Sequence, residues 1–446
     1  MLQDKSFIGS NMANSHSPIQ YNQFKGISIE RKSTLSFDVP TTLITIALVV
    51  FGAISIYSAT VAPGMKVYFD RQIIFAVIGI VTMMIVAYIP QRIIQSSSYV
   101  FYAISVLLLV GVLVMGKEVN GQKNWLALGP ITFQPSEFAK LSTIMAVAMY
   151  LAQRGIRITT FRDFSIVSMI VALPTALILL EDFGTASVFL VVYFGILLWS
   201  GFDLYILFYV ACLPILGILS FFDDAIYYSF AAVTTIGLFF FRRRLLLTIV
   251  LVVSFFSINL VSDTIYGYLQ PHQKSRIDTF LNPDKDPRGK GYNVIQSIMA
   301  VGSGGLTGKG YMQGSQTQLK YIPKQWTDFI FCVPAEEFGF AGGMTVIGLL
   351  TLLIVRGIAI ATKAQNLDAN RFASLVAAGI SMMFFYHMLV NIGMAIGLFP
   401  VMGIPLPFMS AGGTSLVINL MMVGVLLNIY RTSIRKSTSK EYLPTE

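Results

Sequence analysis

The sequence has little charge and few of the residues that build metal centres or disulfide frameworks. Only 12% of its 446 residues are Asp, Glu, Lys or Arg, whereas a soluble domain carries about 25%. It contains two cysteines, Cys212 and Cys332, and three histidines, and neither a CxxC nor an HExxH spacing occurs. These shortages exclude an ordinary soluble domain and a disulfide framework, and they argue against a dedicated zinc site.

Apolar residues are abundant instead, at 55% of the chain, and the mean hydropathy is +0.71. They form continuous runs of about 18–22 residues, the length of a helix that crosses a bilayer, whereas the strands of a membrane barrel would alternate apolar and polar residues. The sequence therefore predicts an all-α, polytopic membrane bundle of about 10–12 transmembrane helices. The candidate runs are 39–61, 72–89, 98–115, 137–152, 164–180, 184–200, 203–221, 226–241, 244–262, 337–355, 372–397 and 415–430.

The distribution of Lys and Arg predicts the topology. Residues 1–38 lack the apolar h-region of a signal peptide, so we expect a disordered cytoplasmic tail, followed by a membrane domain over 39–435 and a cytoplasmic tail over 436–446. Basic residues concentrate in the even-numbered loops, and the net charge of +9 reflects these loops rather than a nucleic-acid partner. Both termini would then be cytoplasmic. The predicted external loops are 116–136, 263–335 and 398–414.

The external loop over residues 263–335 is the longest connection in the predicted membrane domain. Long connections in compact proteins are usually functional, although a passive surface loop is the alternative. The spacing of Tyr292, Ile295, Ile298 and Met299 predicts an amphipathic helix that lies in the membrane interface.

Charged residues inside predicted spans are costly, so each is a candidate for function. Glu137 and Lys140 share one helix face; they form either a self-neutralising ion pair or a site where Lys140 meets an anionic group that Glu137 orients. Glu181 and Asp182 lie at the break between two spans, where an ordinary polar turn is the alternative. For His387, a hydrogen-bonded core histidine is the favoured interpretation.

Two motifs flank the end of the long loop. Asp328, in W-T-D-F-I-F, lies where the chain returns to the membrane; desolvation there would raise its pKa and suit it to general-base work. The alternative is an aspartate that caps the next helix. The stretch G-S-G-G-L-T-G-K-G (302–310) fails the Walker A spacing, but it would offer backbone N–H groups and Lys309 to a lipid phosphate, or form a flexible turn.

An enzyme on the external face has no nucleotides to use. Its substrate must therefore bring its own activation, as a lipid diphosphate does. The sequence resembles the SEDS family (shape, elongation, division and sporulation proteins) over roughly residues 39–435. The resemblance is carried by Q-P-S-E-F-A-K (134–140), N-P-D-K-D-P-R-G-K-G-Y-N-V-I-Q-S (282–297), V-G-S-G-G-L-T-G-K-G (301–310), T-D-F-I-F-C-V-P-A-E-E-F-G (327–339) and N-I-G-M-A-I-G-L-F-P-V-M-G-I-P-L-P-F-M-S-A-G-G-T-S (391–415).

The resemblance implies a peptidoglycan glycosyltransferase that polymerises lipid II on the outer face of the bacterial inner membrane, with undecaprenyl diphosphate as leaving group. Q-T-Q-L-K-Y-I-P (316–323) favours the elongation branch. Asp328 matches the family's catalytic aspartate. Glu137, Lys140 and Asp182 match residues that line its central cavity, and Arg276 matches a basic residue of the long loop.

The resemblance also implies charge-balancing residues, a metal cofactor and a partner protein for that activity. Lys140 or Arg276 would balance the leaving-group charge. A divalent cation, Mg or Mn, would assist, although no ligand set is readable. The implied partner is a class B penicillin-binding protein, whose transpeptidase crosslinks the strands.

The sequence departs from the family pattern at Trp326, where His is usual, and also at Asn124 and Ala411. Two other functions compete with polymerisation. A lipid-linked-precursor flippase or other transporter also suits many spans, mid-membrane charges and a broken helix near Asp182. A non-catalytic cell-wall scaffold would tolerate replacement of Asp328.

Overall fold

The computed structural model describes most of the chain after the first 36 residues. The predicted tail over residues 1–38 lies outside the described part except for Phe37 and Asp38, and so does Arg276. The described residues are 37–61, 64–119, 122–128, 131–153, 156, 158, 160–220, 224–240, 245–268, 274, 278–280, 290–319, 321–323, 325–368 and 370–441.

Most of the described chain is helical. Three short strands lie in the connection between the fourth and fifth helices. In chain order the elements are α1 (Val39–Thr60), α2 (Lys66–Tyr88), α3 (Gln91–Ser96), α4 (Ser98–Met115), β1 (Lys117–Val119), β2 (Gln122–Leu128), β3 (Ile131–Phe133), α5 (Pro135–Leu151), α6 (Phe161–Leu179), α7 (Phe183–Trp199), α8 (Leu204–Leu219), α9 (Asp224–Phe240), α10 (Leu245–Tyr268), α11 (Lys290–Ser303), α12 (Ser315–Gln318), α13 (Cys332–Glu337), α14 (Gly339–Asp368), α15 (Arg371–Ala395) and α16 (Gly413–Glu441).

The helical membrane architecture predicted from the sequence is confirmed. Every predicted apolar run falls on a helix. By length and composition, 7 helices of the described part are able to cross a membrane: α1, α2, α4, α6, α14, α15 and α16. Shorter apolar helical stretches cover Phe183–Trp199 (α7), Leu204–Gly217 of α8, Asp224–Phe240 (α9) and Thr248–Leu260 of α10. Helix α5, with 17 residues, contains Glu137 and Lys140.

Close packing of α2 and α16 holds one side of the bundle. A Cβ on Gly424 would come within 2.6 Å of the Met83 carbonyl oxygen, so only glycine allows this approach. One helical turn further along α16, the Asn428 amide donates to the carbonyls of Val86 (3.1 Å) and Ala87 (3.2 Å). These are among the last carbonyls of α2, where the hydrogen bonds within a helix run out.

Helices α8, α9 and α10 pack around a small core of their own. Its buried residues are Tyr205, Cys212, Leu216, Tyr227, Ala231, Leu238 and Phe255. The large core of the bundle includes residues of α1 to α7, α11 and α13 to α16, but Leu207 is its only member from α8 to α10 among the described residues.

The predicted external loop over 116–136 contains a small antiparallel sheet of strand order β1-β2-β3, which the apolar pattern did not predict. Trp125 pairs with Lys117, and Leu126 pairs with Phe133. The hydroxyl of Thr414 donates to the Thr132 carbonyl at 3.2 Å. The sheet is therefore tied to the start of α16.

The amphipathic helix predicted in the long loop is confirmed as α11. Its inner face buries Val294, Ser297 and Ala300 against the protein, whereas Ile298 and Met299 remain exposed. The Ser297 hydroxyl donates to the Ala395 carbonyl at 2.5 Å. This bond anchors α11 at the end of α15.

Candidate functional site

Asp328 lies in a turn (residues 325–331, the Asp328 turn) whose backbone is held from outside. Three consecutive carbonyls of this turn accept hydrogen bonds from α15 or from the loop of residues 396–412, which joins α15 to α16. The donors are Ala411 N to Trp326 O (2.8 Å), Ser410 Oγ to Thr327 O (2.7 Å) and Asn391 Nδ2 to Asp328 O (2.9 Å). Three successive anchors fix the position of this backbone.

The Asp328 side chain is partly buried and close to Gly403 of the 396–412 loop. Gly403 has a φ of 71°, and a Cβ placed there would lie 3.9 Å from Asp328 Oδ2. The N-cap of α13 is Phe331, whose own side chain makes no capping hydrogen bond. Asp328 lies three residues before that N-cap position.

A buried group of charged and polar side chains lies between α5 and α15. The ammonium of Lys140 donates to Glu137 Oε1 at 2.8 Å and lies 3.3 Å from His387 Nε2. The Glu137 and Lys140 side chains are each 2% exposed. The predicted ion pair and the hydrogen-bonded core histidine are thus both confirmed, and the structure adds that they touch each other.

Helix α15 connects this buried group to the Asp328 turn. His387 Nδ1 lies 3.1 Å from the Pro405 carbonyl. One helical turn later, Asn391 donates to the Ile404 carbonyl at 2.8 Å as well as to the Asp328 carbonyl. Because residues four apart share a helix face, one face of α15 holds both the 396–412 loop and the Asp328 backbone.

Asp182 lies at the predicted break between two spans, where it caps α7. Its carboxylate accepts from the Thr185 amide at 3.2 Å and from the Thr185 hydroxyl at 2.7 Å. Gly184 packs against the 396–412 loop so closely that a Cβ would meet the Met402 carbonyl oxygen at 2.2 Å. Asp182 therefore shapes the approach to that loop through the start of α7.

A narrow cavity opens beside Lys140, between α5, α6 and α7. Lys140 and Thr143 lie in its wall, which is almost wholly apolar, and most of the other lining residues are valines and aromatic residues, including Phe189 and Tyr193. Lys140 therefore lies between the polar group under the Asp328 turn and an apolar space inside the bundle.

Lys309 is engaged by protein groups. Its ammonium donates to Ser303 Oγ (2.7 Å), Ser315 Oγ (2.7 Å) and Glu336 Oε1 (2.8 Å). The glycines around it allow backbone to meet backbone: a Cβ on Gly308 would lie 2.1 Å from the Glu337 carbonyl oxygen. The glycine-rich stretch is thus a packed turn. Lys309 would have to leave Glu336 to meet a lipid phosphate, and that role stays a prediction.

The adjacent carboxyls of Glu336 and Glu337 are both buried, but their pKa values are shifted in opposite directions. Burial alone would raise the pKa of Glu336, but hydrogen bonds from Lys309 and from the amides of Gln316 and Thr317 outweigh it and lower that pKa below its ordinary value. For Glu337, burial outweighs the hydrogen bonds from Ser58 and Gln318 and raises the pKa.

Sequence reasoning missed Asn391 and Glu336 as organising residues. A buried amide in an apolar helix and an acid directly after a turn were the only signals. Among the residues that the structure describes, no group of three His, Cys, Asp or Glu side chains is placed to hold a metal ion.

Comparison with known proteins gives consistent matches over most of the chain. A family model named FTSW_RODA_SPOVE, described as cell cycle protein, matches residues 34–234 and 212–435. The peptidoglycan glycosyltransferase RodA of Treponema pallidum is 33% identical over 428 residues, covering 88% of this chain and 97% of that protein. The peptidoglycan glycosyltransferase MrdB of Escherichia coli K12 is 34% identical over 400 residues, covering 89% and 94%.

A solved structure has the same fold. It was described under the heading of structural coordination of polymerization and crosslinking by a peptidoglycan synthase complex. Its matching chain is 30% identical with a TM-score of 0.66, and the match covers 90% of this chain and 99% of that one.

Proposed function

The chain belongs to the FTSW_RODA_SPOVE family, and on that premise we propose that it is a peptidoglycan glycosyltransferase that polymerises lipid II into glycan strands. Its relatives of similar length carry that activity in their names. The strands would serve cell elongation and shape. The reaction would take place on the outer face of the bacterial inner membrane, which the multi-pass bundle would cross.

The observation that supports an enzyme is the fixed position of Asp328. A general base acts only if its carboxylate is within hydrogen-bond reach of the proton that it removes. Three carbonyl anchors hold the backbone of this turn, and the partly buried carboxylate lies beside Gly403. Such an arrangement holds the carboxylate in a constant place, as a general base requires.

In the proposed step, Asp328 takes the proton from the 4-hydroxyl of the incoming GlcNAc. The hydroxyl oxygen forms a bond to the anomeric carbon of MurNAc on the growing strand. The bond from that carbon to the diphosphate breaks, undecaprenyl diphosphate leaves, and the configuration at the carbon inverts.

Positive charge near the leaving group would stabilise the transition state. Lys140 is the buried candidate within the described part, with Glu137 and His387 fixing its ammonium. Arg276 and Lys309 remain predicted contacts of the long loop. A divalent cation would be held mainly by the substrate's own diphosphate, as Mg²⁺ is in many phosphate sites.

We further propose a class B penicillin-binding protein as partner, because the chain resembles one taken from a complex that coordinates polymerization with crosslinking. The test uses purified complexes with labelled lipid II, and moenomycin to silence ordinary glycosyltransferases. Wild type should give glycan ladders, and Asp328→Asn should lower the rate by about 10²–10⁴-fold.

Asp224→Asn is the matched control, because it makes the same chemical change in α9. Asp224 lies in the unit around the small core, where it accepts a hydrogen bond from Asn259 at 3.2 Å. This variant should give wild-type ladders. Equal ladders from wild type and Asp328→Asn would remove Asp328 from the mechanism.

The buried Glu137–Lys140 ion pair favours a second candidate, a flippase for the lipid-linked precursor, since transporters place charges inside the bundle. A folded wild-type complex that makes no ladders but moves fluorescent precursor across liposome membranes would support this second function. Absence of both activities would support the scaffold.

A further inference from the structure

Two aromatic rings meet beside the Asp328 turn. The centroids of Tyr68 and Trp326 are 5.1 Å apart, and the ring planes are inclined by 34°. Tyr68 is 41% exposed and Trp326 is partly buried, so the pair retains open ring surface. Trp326 is two residues before Asp328. The pair therefore lies within one short turn of the proposed base.

The contact joins α2 to the backbone that carries Asp328. Gln72 lies one helical turn after Tyr68 and shares its face of α2. The Gln72 amide donates to the Ser410 carbonyl at 3.3 Å, and Gln72 Oε1 accepts from the Gly412 amide at 3.3 Å. The intervening residue, Ala411, donates its N–H to the Trp326 carbonyl at 2.8 Å. The helix that carries Tyr68, through the Gln72 side chain, and the Trp326 carbonyl are thus both hydrogen-bonded to the segment 410–412.

Such a pair suits one kind of ligand. Aromatic faces carry negative partial charge and attract the positive edges of bonded hydrogens. A pyranose ring offers a face of C–H bonds on one side and hydroxyls at its edge. It can stack on the rings while a hydroxyl at its edge reaches a carboxylate nearby. A membrane-interface anchor is the simpler role for exposed aromatics, but it would not require fixation to the Asp328 turn.

We propose that Tyr68 and Trp326 form a stacking platform for the pyranose ring whose hydroxyl Asp328 deprotonates. The platform binds the acceptor sugar equally in the ground state and in the transition state. This inference rests on the proposed function, because it assigns the acceptor subsite of the same reaction.

The experiment measures KM and kcat for lipid II with the complex of the full chain and its penicillin-binding protein. Trp326→Leu keeps apolar bulk but removes the ring, and it should raise KM on the order of tenfold, the effect of losing one aromatic contact. Because stacking is made in both ground and transition states, kcat should change by less than about twofold. Trp326→Tyr, which keeps a flat ring, should restore most of the KM.

A second aromatic pair supplies the control. Tyr57 and Phe69 are also 5.1 Å apart, on α1 and α2, and Phe69 follows Tyr68 directly in the sequence. Phe69→Leu should leave KM unchanged. All variants are first compared with wild type by thermal unfolding in detergent, so that a change in KM is read only from folded protein.

Three results would overturn the platform. One is a wild-type KM for Trp326→Leu, and another is failure of Trp326→Tyr to rescue. The third is a KM increase that disappears with a shortened prenyl chain, which would assign the rings to the lipid. Failure of the proposed function is distinguishable, because wild type would then make no ladders. If Asp328→Asn abolishes the glycan ladders but Trp326→Leu keeps the wild-type KM for lipid II, the proposed function stands and only the platform is contradicted.

Discussion

The bundle under the Asp328 turn and the α8–α10 unit are both apolar helical assemblies, yet they bury different groups. The first buries a carboxylate, an ammonium, an imidazole and an amide from Glu137, Lys140, His387 and Asn391. In the second, the described bonds between helices inside the unit come from neutral hydroxyls, such as Tyr205 to Thr248 at 2.7 Å and Tyr209 to Ser254 at 2.6 Å. The carboxylate of Asp224 bonds to Asn259 at the exposed surface.

The difference shows that, of these two regions, the one near Asp328 carries the free-energy cost of removing charged groups from water. Burial of an ion pair in an apolar interior often gives no net stability, and hydroxyl pairs suffice to join α8 to α10. Charges inside membrane helices are therefore expected where chemistry or transport needs them. The comparison supports the proposal that the first region has a functional role, and it gives the hydroxyls of the second mainly structural roles.

Removal of the Lys140 charge should have the largest effect on stability. Lys140→Met leaves the Glu137 carboxylate buried without its partner, which costs about 3–5 kcal/mol, and it should also lower polymerisation. Thermal unfolding in detergent and the glycan-ladder assay measure the two effects. The matched variant is Glu137→Gln/Lys140→Met, which removes both charges.

The double variant should regain much of the stability but not the activity. That outcome would separate the chemical role of the pair from its structural role. A wild-type unfolding temperature for the single Lys140→Met variant would contradict the comparison. It would show that losing this buried charge costs no more stability than losing a hydroxyl of α8–α10.

The adjacent carboxyls of Glu336 and Glu337 should give an intermediate, pH-dependent effect on stability. Because the pKa of Glu336 is lowered in the folded protein, its ionised form contributes stability above the ordinary glutamate pKa. That stability is lost as the pH falls through the folded pKa. Glu336→Gln should therefore be less stable than wild type at pH 7, with the difference shrinking below pH ~4.

Glu337→Gln is the control with opposite sign. The pKa of Glu337 is raised, so its contribution is complete below the ordinary glutamate pKa and is lost as the pH rises through the folded pKa. Glu337→Gln should match wild type at low pH and exceed it at high pH. Unfolding midpoints measured across pH test both; parallel curves for the two variants would contradict the assignment.

The smallest effect is expected in α8–α10. The Tyr227 hydroxyl donates to the Phe255 carbonyl inside the small core, so Tyr227→Phe should lose about 1 kcal/mol of stability. Ladder formation should remain at the wild-type rate. A strong loss of polymerisation in a folded Tyr227→Phe protein would show that this unit takes part in the reaction after all.

Much of the fold was readable from the sequence because membrane helices need long apolar runs. The run 98–115 coincides with α4, and the break at Asp182 coincides with the start of α7. The i, i+3 spacing of Glu137 and Lys140 gave their ion pair directly, since both partners lie on one helix turn.

Contacts between segments that are distant in the chain could not be predicted from the sequence. His387 meets Lys140 across 247 residues, and Glu336 meets Lys309 across 27. Periodicity reports that a position is buried, but not which residue faces it. The short strands over 117–133 were missed for a different reason, because three-residue pairings have no periodic signal.

The three bonds from Asn391, Ser410 and Ala411 to the Asp328 turn end on main-chain oxygens. Side-chain substitutions at 326 and 327 therefore leave these acceptors intact, whichever amino acid stands there. The proposed base would keep its place while its neighbours change over evolutionary time, and acceptor preference would diverge without rebuilding the backbone that carries it. The tryptophan at position 326 is one of the side chains that this backbone anchoring permits.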